Sequence, residues 1–193
     1  VDLQLITTLE HLLGVTLDEA QRTQVFLKIK DGGLGLGSAS ARREVAYIGA
    51  WEGGMKPFLH KLSTMARGDE PAVTTVQALR RIWPTWGLQM DALDAALKRK
   101  RGPGAKASNW AASAEGDGLK MQRVHSAQVY AHTLKTFHGS LSTSDSIDVQ
   151  LGSGPEAGAY LVTEAEILPM NDRDLRTTVR RRLRDRQIDG STG

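Results

Sequence analysis

Cysteine is missing altogether from these 193 residues, which removes disulfides, thiolate zinc sites, iron–sulfur clusters and cysteine nucleophiles at one stroke. Any metal would have to be held by histidine and carboxylates alone. Long apolar runs are missing too: no stretch approaches the ~18–20 consecutive residues that a bilayer requires, and the N-terminus lacks a basic region followed by an apolar one. No membrane partner and an intracellular location are therefore expected. Aromatics make up only 5%, whereas the 20 glycines exceed the usual ~7% share, so a packed chain broken by irregular loops is predicted. With 40% apolar and 24% charged residues, the length suffices for one ordinary domain or two small ones. Val1 at one end and the polar run Gly190, Ser191, Thr192, Gly193 at the other predict an excerpt from a longer polypeptide.

The net charge of +3 hides a strong asymmetry. Between Asp172 and Gln187 seven arginines face three aspartates, and Lys98 to Lys106 adds five cations without an acid. Two basic clusters on an acidic body suit a polyanionic partner better than a uniform surface would.

Apolar periodicity predicts a mainly α fold, an irregular helical bundle in one or two small modules with a short glycine-rich extended segment. Leu3, Ile6, Leu9 and Leu13 mark a helix stopped by Gly14; Thr16 and Glu19 form a capping box for the next, which runs to Val25 or Phe26. Leu27 to Gly37 breaks the period and reads as a strand or turn, with Gly32, Gly33 and Gly35 as its turn residues. A helix capped by Ser38 or Ser40, with Ala41, Val45, Ile48 and Trp51 inward, is expected to end at Gly53 and Gly54, and another to begin at Pro57 with Phe58, Leu62 and Met65 inward. After a loop at Gly68 to Pro71, a helix from Val73 to Trp83 is interrupted by Pro84 and resumes over Leu88 to Lys100, with Leu93 and Leu97 inward. Composition then places a flexible linker at 102–118, between a thumb-like module at 1–101 and a second module at 119–193. Beyond it come a helix over Leu119 to Phe137, with Met121, Val124, Ala131, Leu134 and Phe137 inward, a loop over Ser140 to Gly154, and a segment Ala157 to Thr163 readable as strand or helix. An arginine-rich helix at Asp172 to Arg186 closes the chain, with Leu175, Val179 and Leu183 facing the body and Arg176, Arg180, Arg181 and Arg184 facing outward.

No catalytic constellation emerges. The glycine run has neither the dinucleotide fingerprint nor the phosphate-loop spacing, and no Gly-x-Ser-x-Gly elbow presents a nucleophile. His125 and His132 lie seven apart, about 10 Å along a helix, too far to ligate one metal together, and read as a solvent-facing pair. The pairs Asp91/Asp94 and Asp145/Asp148 read as solvated carboxylates. No cofactor, no metal and no chemistry of its own are expected of the chain. Lys98, Arg99, Lys100 and Arg101 suit a helix C-terminus, but with Lys106 they exceed what the helix dipole asks for, so phosphate contact by RNA or DNA is the leading reading. Trp83, Trp86 and Trp110 near this cluster suit either base stacking or core packing.

The run LKIKDGGLGLGSAS at Leu27 to Ser40, with the helix ARREVAYIGAWEGG after it, resembles the segment that follows the polymerase core in reverse transcriptases of non-LTR retrotransposons. GSGPEAGAYLV at Gly152 to Val162 and LRTTVRRRLR at Leu175 to Arg184 extend the resemblance in the same order over about the whole chain. It implies the thumb and linker of a retroelement polyprotein, nuclear, gripping a template–primer duplex through Lys98, Arg99, Lys100, Arg101, Lys106, Arg176, Arg180, Arg181 and Arg184, and joined to other domains of its parent. Three departures stand out: Lys28 replaces a usual proline, no Phe/Tyr-x-Asp-Asp motif is present, and neither a zinc knuckle nor an endonuclease core follows. The resemblance thus carries over no catalytic residue. The competing reading is a free-standing helical adaptor or accessory subunit of a ribonucleoprotein, whose arginine helix docks a partner.

Overall fold

A computed structural model describes residues 1–65, 75–105, 118–154 and 172–184. Among them are eight α-helices and no strand: α1 (Asp2–Leu13), α2 (Glu19–Val25), α3 (Ala39–Met65), α4 (Val76–Ile82), α5 (Pro84–Arg101), α6 (Gly118–Ser140), α7 (Thr143–Leu151) and α8 (Asp172–Arg182). The mainly α expectation is met. No helix of the described residues is long and apolar enough to cross a membrane. The expected loop at Gly68 to Pro71, residues 106–117 of the expected linker, and Ala157 to Thr163 lie outside the described residues. By compactness the chain forms two units: one joins Val1–Ala39 to Leu134–Gly193, and the other is Ser40–Thr133.

In the first unit Ile6, Leu13, Leu17, Val25 and Leu183 form the core, with Leu9, Val15, Phe26, Leu34 and Val179 packed on it. Helix α1 stops where expected, at Gly14, whose φ of 68° turns the chain and lets its N–H donate to the Glu10 and His11 carbonyls. The capping box of α2 is shifted from Thr16/Glu19: Asp18 accepts from the Gln21 N–H at 2.7 Å while the Gln21 side chain accepts from Asp18 N–H at 2.9 Å. The reason lies just upstream. Leu17 is buried and its N–H donates to Glu10 Oε1 at 3.0 Å, so the chain is held non-helical until Asp18. That bond, with Arg22 beside it, holds the Glu10 carboxyl below its ordinary range.

The glycine segment is a turn and not a strand. A 3-10 turn at Ile29–Asp31 closes at Gly32 with φ 85°, and Gly35 has φ 75°, both in the left-handed region that glycine adopts without strain. Gly33 answers to a different constraint: a Cβ there would overlap the Leu27 carbonyl and approach Gln24 O to 2.6 Å. The expected loop after Ser140 is instead α7, capped by Ser142, whose Oγ accepts from Asp145 N–H at 3.1 Å. Val149 of this helix is buried against Gly32, which explains why a helix with an otherwise exposed surface is fixed there.

In the second unit Val45, Ile48, Met55, Leu59, Val76, Leu79, Trp86, Met90, Leu97 and Val129 form the core. Helix α3 does not end at Gly53 and Gly54; it continues for 27 residues through both and through Pro57. Pro57 cannot donate to the carbonyl four residues back, a local defect. Burial of Ile48, Glu52, Met55 and Leu59 along one stripe outweighs it, since each fully buried aliphatic side chain contributes about 1.5–3 kcal/mol. The break at Pro84 is where expected, between α4 and α5, with the proline in the first turn of α5 and Thr75 capping α4. The inward face of α6 differs from the expected one in part: Phe137 is buried as expected and His125 and Val129 are buried too, whereas Val124 and Ala131 are exposed.

Candidate nucleic-acid interface

The four cations that end α5 separate into two pairs. Lys98 and Arg99 are exposed. Lys100 and Arg101 turn back into the second unit. The Lys100 ammonium donates to Ser40 O and to Glu44, a buried carboxylate that Arg43 also grips at 2.6 Å. Burial alone would raise the Glu44 pKa, but the hydrogen bonds from Lys100 and Arg43 outweigh it and hold the carboxyl below its ordinary range.

Arg101 is only 8% exposed, and its Nη1 reaches His125 Nδ1 and Gln128 Oε1, each at 3.2 Å. His125 is not on a solvent-facing surface as expected; it is 1% exposed, and its Nε2 lies 3.1 Å from Glu52 Oε2. A guanidinium can only donate, so Nδ1 must accept from Arg101, and the imidazole proton sits on Nε2 facing Glu52. Arg101, His125 and Glu52 thus join α5, α6 and α3 through a buried chain of polar contacts. His132 is half-buried at the other side of this corner, where its ring fills the space that a Cβ on Gly102 would take.

The arginines of α8 divide in a similar way. Arg176 and Arg181 are exposed. Arg180 donates through Nε, at 2.9 Å, and Nη2 to Leu13 O, satisfying a carbonyl at the C-terminus of α1. Arg182 donates to Gly33 O at 2.8 Å and to Ile29 O, and its burial draws the guanidinium below its ordinary pKa. Arg184 lies over the Phe137 ring at 5.8 Å, donates to Gln24 Oε1 at 3.1 Å and pairs with Asp145 at 3.4 Å. Arg180 and Arg184 therefore do not face outward as expected, and Leu175, at 47% exposed, does not face the body. Leu175 sits on the first turn, while the helix packs through Val179 and the fully buried Leu183.

Gln24 completes the junction. Fully buried, it donates to Gly32 O at 2.8 Å and Arg182 O at 2.7 Å, so one amide bridges the glycine turn to the end of α8. Of the tryptophans, Trp86 is in the core, 5.1 Å from Trp51, and Trp83 is half-exposed, stacked on Trp86 at 6.2 Å. Lys106 and Trp110 lie outside the described residues. No group of three or more metal-ligating side chains occurs among the described residues.

Sequence reasoning missed the buried Glu44, Glu52 and His125. The signal was present: Glu44, Ile48, Glu52, Met55 and Leu59 recur at three or four residues, so two carboxylates stand within the apolar stripe of α3. A carboxylate there demands a cation, and α5 ends in four. The chain matches no protein-family model, no curated protein and no solved structure.

Proposed function

We propose that this chain binds RNA or DNA through its phosphates, as a thumb or linker segment of a retrotransposon reverse transcriptase, without chemistry of its own. The observation that carries the reading is the separation of the cations. Lys100, Arg101, Arg180, Arg182 and Arg184 are engaged within the fold, while Lys98, Arg99, Arg176 and Arg181 stand exposed, forming no ion pair with any described residue. Exposed cations beyond those that the fold requires are what a phosphate backbone attracts, because each contact releases a condensed counterion. The order of the glycine run, the Gly152 to Val162 segment and the arginine helix supports the retroelement reading. That reading brings with it a nuclear location and attachment to further domains of a parent polyprotein.

Lys98→Gln with Arg99→Gln tests it, since both side chains are exposed and the fold does not use them. Fluorescence anisotropy with RNA and DNA of several sequences should show weaker binding to all of them alike, because phosphate contacts carry no sequence information. Two lost contacts should flatten the plot of log K against log salt by about 1.4–1.8. A wild-type chain that shows no salt-dependent binding to either polymer would overturn the reading in favour of the protein-docking adaptor.

A further inference from the structure

Along the first two turns of α8 runs a groove lined by Arg173, Arg176, Thr177 and Arg180, and this described lining carries no carboxylate. The helical repeat produces it. Residues 173, 176 and 180 are three and four apart, so their side chains rise from one face, and Thr177, four after Arg173 and three before Arg180, lies between them. Threonine is short where its neighbours are long. Its Oγ1 donates to Arg173 O at 2.8 Å, which folds the hydroxyl down onto the helix and leaves a notch between guanidinium arms.

Arg180 gives the groove a fixed wall. Its guanidinium is held at Leu13 O by two donors, so the position of one charge is set by the core of the first unit and not by solvent. Arg173 and Arg176 on the same face are exposed and form no ion pair with a described residue. A planar fork of N–H donors matches the tetrahedral oxygens of a phosphate, and two forks reaching one phosphate from a helix face with a third cation behind them form a high-charge receptor for a single anion.

We infer that this groove is a phosphate site, taking one phosphodiester group of a nucleic-acid strand, with Arg173 and Arg176 as the gripping pair and Arg180 as the positioning residue. The inference rests on the nucleic-acid reading above and makes it specific. It adds Arg173 and Thr177 to the contact surface, and it assigns Arg180 to holding the groove in shape.

The test uses the full chain, a labelled single-stranded RNA and, separately, inorganic phosphate. Arg173→Gln with Arg176→Gln should remove one phosphate from the contact set, lowering the salt slope by about 0.7 and weakening binding about fourfold near physiological salt. Thr177→Glu, which places a carboxylate in the notch, should do the same, and circular dichroism should show the helix intact in both. If wild type binds RNA and both variants bind it with unchanged slope, the groove is overturned while the wider reading stands. No RNA binding by wild type, together with no stabilisation by phosphate, overturns both the groove and the wider reading. Thermal stabilisation by millimolar phosphate, abolished by the double replacement, in a chain that does not bind RNA identifies a free-phosphate site and overturns the strand assignment.

Discussion

Gly33 and Glu52 show how much a single residue can carry here. At Gly33 the limiting factor is space, since a methyl group would meet the Leu27 carbonyl and Gln24 O, both backbone atoms that cannot rotate away. Gly33→Ala is expected to destabilise the first unit by about 1–3 kcal/mol, the usual cost of overpacking, read as a lower urea midpoint at unchanged slope. Little or no change would mean that the turn opens freely. At Glu52 the factor is a buried hydrogen bond. Replacing it by alanine leaves the buried His125 Nε2–H without its Glu52 acceptor, and an unsatisfied buried donor costs about 1–3 kcal/mol. Double replacement with Arg101→Met should restore part of that loss, and the coupling in the double-mutant cycle is the measurement that decides. If the two losses simply add, the buried chain is a row of independent contacts.

At the scale of the element, α8 separates what composition suggests from what packing selects. Its stripe of Leu175, Val179 and Leu183 looks uniform in the sequence, yet among the described residues Leu175 is exposed and the core contacts are made by Val179 and by Leu183 just past the helix end. Leu183→Ala should therefore cost about 2–5 kcal/mol and Leu175→Ala less than about 0.5 kcal/mol, compared by chemical denaturation. Equal costs would require Leu175 to be buried. The arginines of the helix follow the same division: Arg180 and Arg182 bind carbonyls at the end of α1 and in the glycine turn, whereas Arg176 and Arg181 remain on the surface. Charge density along the helix was legible from the sequence. The identity of the arginines that the fold consumes was not, because the acceptors are backbone oxygens up to 167 residues away in the chain.

Over the whole molecule, the buried Glu44 contributes to the acid response. The folded-state pKa of Glu44 lies below its unfolded value, so its contribution is fully present above about pH 4.3, the ordinary glutamate value, and is lost as pH falls through the folded pKa. Stability measured against pH should fall on the acid side in wild type and fall less steeply in Glu44→Gln, which has no proton to take up. An identical acid limb in the two proteins would show that Lys100 and Arg43 do not hold the carboxylate in its charged form. Glu10, lowered by the Leu17 N–H and Arg22, acts in the same direction in the other unit.

The sequence by itself determined the mainly helical class, the stops at Gly14 and Pro84, the break of the helical period at the glycine run and the location of the two basic clusters, because propensity, capping, backbone freedom and charge act over a few residues. Tertiary structure alone decided that α3 continues through Gly53, Gly54 and Pro57, and that Ser142 begins a helix. It also decided that His125 is buried between Glu52 and Arg101, and which cations face solvent. In each case the deciding contact joins residues far apart in the chain, as Val149 meets Gly32 and Arg101 meets His125. Local rules set what each segment prefers; burial of apolar area and the need to partner every buried charge determine which preferences survive.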